Sequence, residues 1–202
     1  MHTSRIIIVS RTKMGQYICV GAYDVDRHRN IRLLDRKGYG QPLNCPMKIG
    51  DVVTARYLDR ANIEPPHTED VLLQGYEPYA NAQEVHNAFT QNASVVEGPL
   101  TDCFDGKLFQ PGRGAMAIPN DDLPDHSVCF WRTDRQLTLN NFGKYVYRRG
   151  FNTIQIQYVG FPDAVQLIPV GTVVRLSLSR RWNMDGQEKL CWLQLSGWYG
   201  EL

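Results

Sequence analysis

The feature that most constrains this chain is a recurrence of short runs rich in β-branched and aromatic residues, set apart by turn residues, with little helical periodicity between them. Nine runs stand out: RIIIVS (5–10), YICVGAYDV (17–25), NIRLLD (30–35), DVVTARYL (51–58), SVCFWR (127–132), KYVYR (144–148), NTIQIQYV (152–159), TVVRLSLS (172–179) and KLCWLQLS (189–196). Most have the length and composition of a strand. TIQIQY alternates strictly, so one face of its strand is expected to be wet. Asp185-Gly186 stands between two runs and predicts a hairpin turn, as does the basic segment DVDRHRN between the second and third runs. The chain is expected to be mainly β.

One helix is expected. Asn81 is a cap for AQEVHNAFTQN, in which Val85, Ala88 and Phe89 fall on one face. The stretch that follows, EGPLTDCFDGKLFQPGRGAMAIPNDDLPD, is dense in glycine and proline and reads as a long irregular connection. An internal echo then suggests an architecture. Ile49-Gly50-Asp51-Val52-Val53 and Val170-Gly171-Thr172-Val173-Val174 each open an alternating run that ends in arginine. The economical arrangement is two OB-like small β-barrels, residues 1–75 and 126–202, on either side of an irregular insert, 76–125, that carries the one short helix.

A chain of 202 residues buries enough core to need neither disulfide nor metal. The five cysteines are odd in number, far apart and without C-x-x-C spacing, which points to a reducing cytoplasm. The apolar run Ile6 to Val9 is too short for a signal peptide or a membrane span, so no membrane partner is expected. The net charge of +1 conceals a pattern. Residues 1–60 carry eleven Lys/Arg against five Asp/Glu, residues 61–125 two against eleven, and residues 126–202 nine against five. Basic blocks flank an acidic centre. Either they meet a polyanion, or they dock on that centre and neutralise it.

RIIIVSRTKMGQYICVGAYDVDRHRNIRLL, the strand opening Gly50-Asp51-Val52-Val53, the segment IEPPHTEDVLL and the closing KLCWLQLSGWY resemble the dual OB-containing domain family of mostly prokaryotic proteins. The resemblance spans nearly the whole chain. It implies two OB-like barrels and nucleic-acid binding, often in the company of defence genes, and it brings no catalytic residues. In such barrels the middle strands and the loops joining strands one and two and strands four and five receive oligonucleotides.

Candidate ligand residues are placed on that frame. In the first barrel they are Arg11 and Lys13 in the first connection, Arg27 and Arg29 at the basic hairpin tip, and Arg32 on the third strand. In the second they are Tyr145, Tyr147, Arg148, Arg149, Arg180, Arg181 and Trp182. Cations hold phosphates and flat rings accept bases. KYVYRRGF (144–151) poses the question sharply, since its tyrosines either line a groove or face a core.

No nucleophile elbow, phosphate loop or zinc-ligand spacing occurs, so catalytic residues, metal and cofactor are all expected to be absent. GRGAM (112–116) lacks the Lys-Ser/Thr of a specific phosphate loop, and EPPHTED reads as a rigid exposed loop. The expected function is a non-catalytic module binding RNA or single-stranded DNA, with a nuclease, helicase or effector complex as protein partner. The alternative is an adaptor using the acidic insert and the terminal aromatics Trp198 and Tyr199, with a nucleotide-handling enzyme third.

Overall fold

The computed structural model describes residues 1–112, 114–183 and 188–199. The hairpin expected at Asp185-Gly186 and the arginine of GRGAM lie outside the described residues. The chain forms two compact units, one of residues 1–64 and 69–93, the other of residues 65–68 and 94–202.

The first unit contains β1 (His2–Met14), β2 (Tyr17–Asp24), β3 (Arg29–Leu34), β4 (Gln41–Pro42), β5 (Val52–Asp59), β6 (Asp70–Pro78) and helix α1 (Ala82–Asn92). β1 pairs with both β2 and β5, β5 with β6, and β6 runs parallel to β3. With the β2–β3 pairing the ring is closed. The β1–β2 register shifts between Ile8 and Ser10, a bulge that bends β1 where its pairing with β5 has ended and that with β2 continues. Ile6, Ile8, Ile18, Val20, Ile31, Leu33 and Tyr57 fill the interior, each fully buried aliphatic contributing about 1.5–3 kcal/mol relative to exposure. α1 has the expected cap, with the Asn81 side chain accepting from the Glu84 N–H at 3.4 Å. It buries Val85 and Phe89, and Phe89 meets Tyr23 edge-on at 5.1 Å.

The second unit contains β7 (Val95–Val96), β8 (Ala117–Ile118), β9 (Val128–Arg132), β10 (Leu137–Leu139), β11 (Lys144–Arg149), β12 (Asn152–Tyr158), β13 (Leu167–Ile168), β14 (Val173–Leu178) and β15 (Cys191–Tyr199). β10, β11, β12, β15, β14 and β9 are neighbours in that order, and β12 runs parallel to β15. The circuit is that of the first unit with its opening strand broken between Arg132 and Leu137: β9 pairs where the start of β1 does, β10 where its end does. The sheet of this unit is therefore a curled half-barrel, where that of the first unit is closed.

The sequence echo has a structural counterpart. In the first unit Gly50 N–H donates to Ile8 O at 2.8 Å and Ile8 N–H to Asp51 O at 2.9 Å; in the second, Gly171 N–H donates to Thr133 O at 2.7 Å and Thr133 N–H to Thr172 O at 3.0 Å. Gly50 and Gly171 both take positive φ, 92° and 83°, which an L side chain resists. The same hook fastens the entry of β5 to β1 and the entry of β14 to the residue that follows β9.

Residues 94–125, expected as part of an insert between barrels, belong to the second unit. Leu100, Cys103, Phe104, Leu108, Met116 and Ile118 join its core, so the segment fills the half-barrel with side chains. The stretch read as an exposed EPPHTED loop is also largely enclosed: His67, Glu69 and Asp70 are buried.

Candidate nucleic-acid interface

The question posed by KYVYRRGF has a divided answer. Tyr145 and Tyr147, expected as open stacking rings, are sealed in the second core, because their face of β11 is the one shared with inward Ile154 and Ile156 of β12. Tyr145 donates its hydroxyl to Val165 O at 2.9 Å, and Tyr147 donates to Asp134 Oδ2 at 3.2 Å while its ring meets Trp131 edge-on. Burial pushes both phenols above the ordinary tyrosine range, Tyr147 further through the charge on Asp134, so they act as packed neutral rings. They cannot receive bases.

Arg148 and Arg149 are exposed where β11 leaves the core, and neither forms an ion pair among the described residues. The two-residue turn Gly150-Phe151 follows, with Arg149 paired to Asn152 across it. Phe151 projects entirely into solvent, at 109% relative exposure. Sequence reasoning placed the ring in the wrong residues of this stretch. The open ring is Phe151, at the tip of the hairpin that corresponds to strands two and three of an OB barrel. Phe142, 83% exposed, stands on the connection between β10 and β11, the position of the loop between strands one and two. Below them, on the outer face of β10 and β11, lies a groove of about 370 Å³ lined by Asp134, Arg135, Thr138, Val146, Arg148 and Val170.

Arg180, Arg181 and Trp182 occupy the connection between β14 and β15, where the loop joining strands four and five is expected. All three are exposed. Trp182 is half-open, tilted on Trp192 at 6.0 Å, and its carbonyl accepts from Trp192 Nε1 at 2.9 Å. Arg181 lies by the Cys191 thiol, which burial pushes up in pKa.

In the first unit the candidate cations disperse. Arg11 and Lys13 are on β1 itself, which runs on to Met14 and leaves only Gly15-Gln16 as the connection. Arg11 is half-buried and donates to Cys45 O at 3.3 Å; Lys13 is exposed. Arg27 is open at its turn. Arg29 is held by Asp59 at 2.7 Å, and its guanidinium also reaches the Tyr57 hydroxyl. Arg32, expected as a surface contact, is instead largely buried and paired with the enclosed Asp70, which also accepts from Arg60 at 2.9 Å. Such a pair costs too much desolvation to be exchanged freely for phosphate. The acidic centre does neutralise part of the basic complement, since Glu84 pairs with Arg5 and Glu97 with Arg132.

Asp105, Asp125 and His126 bring one ligand atom each within 4.8 Å of one another. Asp125 and His126 already pair at 3.0 Å, and the His126 ring stacks on Phe104. The free cysteines are not clustered with these residues. Among the described residues no helix is long and apolar enough to cross a membrane.

No curated protein matches the sequence. Among solved structures, one described as "Structural mimicry for functional antagonism" aligns with a TM-score of 0.33 at 8% identity, covering 94% of this chain and 87% of that one; at that level it carries no argument. The sequence matches the dual OB-containing domain over residues 4–198. That span takes in both barrel circuits, and the chain belongs to the dual OB-containing domain family.

Proposed function

We propose that the protein binds RNA or single-stranded DNA without catalysing a reaction on it, acting as an accessory module beside a nuclease, helicase or similar effector. The observation that carries this reading is the β11–β12 tip, where Arg148, Arg149 and Phe151 stand exposed on the hairpin that OB barrels use for oligonucleotides. Cations and a free ring in one short segment supply phosphate attraction and base stacking together. Arg180, Arg181 and Trp182 add exposed side chains of the same kinds on a second connection of the unit. With a net charge of +1 the protein is suited to a short strand and a handful of phosphates rather than to coating a polymer.

Two observations weigh against the adaptor reading. Glu84, the helix's first-turn carboxylate, is engaged by Arg5, and Trp198 packs against Tyr158 at 5.4 Å. Fluorescence anisotropy with labelled oligouridine and oligothymidine tests the proposal. The wild type is expected to bind at least one of them with salt-sensitive affinity, and Arg148→Glu/Arg149→Glu to lose about tenfold or more while its unfolding transition stays in place. Absence of binding to both strands at low salt would refute it.

A further inference from the structure

Tyr17 and Tyr39 form a second aromatic surface, on the first unit. Tyr17 opens β2 and pairs with Met14 on one side and Pro42 on the other, whereas Tyr39 comes from the connection between β3 and β4. Their rings lie 10° from parallel with centroids 5.9 Å apart. Both remain open to solvent, at 40% and 55% exposure. The start of β2 and the neighbouring β3–β4 connection thus stack two exposed rings at the surface.

The loop beneath them is fixed by its own hydrogen bonds. Asp35 Oδ1 accepts from the backbone N–H of Lys37 and of Tyr39, both at 2.8 Å, and Asp35 N–H donates to Tyr39 O at 2.7 Å. Gly40 lets this loop close on β2: a Cβ there would stand 2.9 Å from Tyr17 Cβ and 3.0 Å from Ile18 O. The rings are therefore preorganised, which lowers the ordering cost of receiving a ligand. Lys37 is exposed on the same loop, Arg36 donates to Gln74 O of β6 at 2.7 Å, and the loop's one carboxylate, Asp35, is turned onto backbone donors. Exposed flat rings with a cation on the same loop complement a polyanion that carries planar groups.

We propose that the Tyr17–Tyr39 pair, with Lys37 on the same loop as Tyr39, is a stacking platform for the unpaired bases of a single strand. The inference rests on the nucleic-acid reading above and narrows it to ligands with free base faces, because a duplex hides those faces in its own stack. A tyrosine face accepts any base, so the site selects for strandedness and tolerates sequence.

The test compares labelled oligouridine, an abasic strand of equal length and a blunt duplex against wild type, Tyr17→Ala/Tyr39→Ala, Tyr39→Phe and Tyr39→Leu. The double variant is expected to lose about tenfold or more in affinity for oligouridine and nothing for the abasic strand, while Tyr39→Phe binds as wild type does. Should the double variant fail to fold, Tyr39→Leu, which alters one exposed loop side chain, is expected to show the same selective loss to a smaller degree. Unchanged oligouridine binding in the alanine and leucine variants would overturn the platform and leave the broader reading standing. Equal loss on the abasic strand, or loss in Tyr39→Phe, would also overturn it. A wild type that binds none of the three ligands would defeat the underlying reading itself.

Discussion

At the scale of single residues, partnering decides what each charged or aromatic group does. Arg32 and Arg148 are the same residue type on barrel strands, β3 of the first unit and β11 of the second, yet Arg32 is enclosed with Asp70 and Arg148 looks into an open groove. Tyr147 and Phe151, four positions apart, are one sealed and one free. Asp59 illustrates a partner with a measurable signature. The hydrogen bond from Arg29, helped by His2, holds its carboxyl below the ordinary aspartate range. A depressed carboxyl stabilises the fold above the unfolded-state value of about 4 and loses that contribution as pH falls through the folded value. Thermal unfolding of wild type and Asp59→Asn should therefore show the variant less stable at neutral pH and the gap closing below about pH 4. A gap that persists unchanged at about pH 3 would contradict the assignment.

At the scale of elements, the strongest regularity is the hook that Gly50 makes with Ile8 and Gly171 with Thr133. Nothing lies within 4 Å of a Cβ built at either position, so an alanine there meets only the backbone penalty of positive φ. Gly50→Ala and Gly171→Ala should each destabilise by about 1–2 kcal/mol in denaturant unfolding. A null effect at one of them would mean that the two hooks are not equivalent. The echo around these glycines was legible in the sequence, as were all nine expected strands and the Asn81 cap, because period-two alternation and capping are local signals. β6 was not read, although it closes the first barrel: Gln74-Gly75 breaks its pattern, and Gly75 is there to admit the Arg56 guanidinium, 3.1 Å from where a Cβ would stand. β10 escaped notice because three residues, Leu137–Leu139, carry no period. The core role of residues 94–125 was hidden for a different reason, since the segment is acidic and rich in turn residues yet places isolated apolar side chains inward. Gly15-Gln16 and Gly150-Phe151 were available as Gly-X hairpin turns, and reading the second would have exposed Phe151 as the open ring.

At the scale of the whole molecule, the chain carries two copies of one strand circuit, a closed barrel and a half-barrel filled from its own amino-terminal arm. Each copy sets exposed rings and cations on one short stretch of its surface: Tyr39, stacked on Tyr17, with Lys37 in the first, Phe151 with Arg148 and Arg149 in the second. The near-neutral net charge is the sum of these open cations and of acidic groups, several of which are held in ion pairs. Photocrosslinking of the intact protein to an oligouridine carrying 4-thiouridine, followed by peptide mapping, tests this account most directly. Crosslinks are expected in the peptides holding Phe142 to Phe151 and Tyr17 to Tyr39. Crosslinks confined to other segments, or none under conditions where a known single-strand binder is labelled, would contradict it.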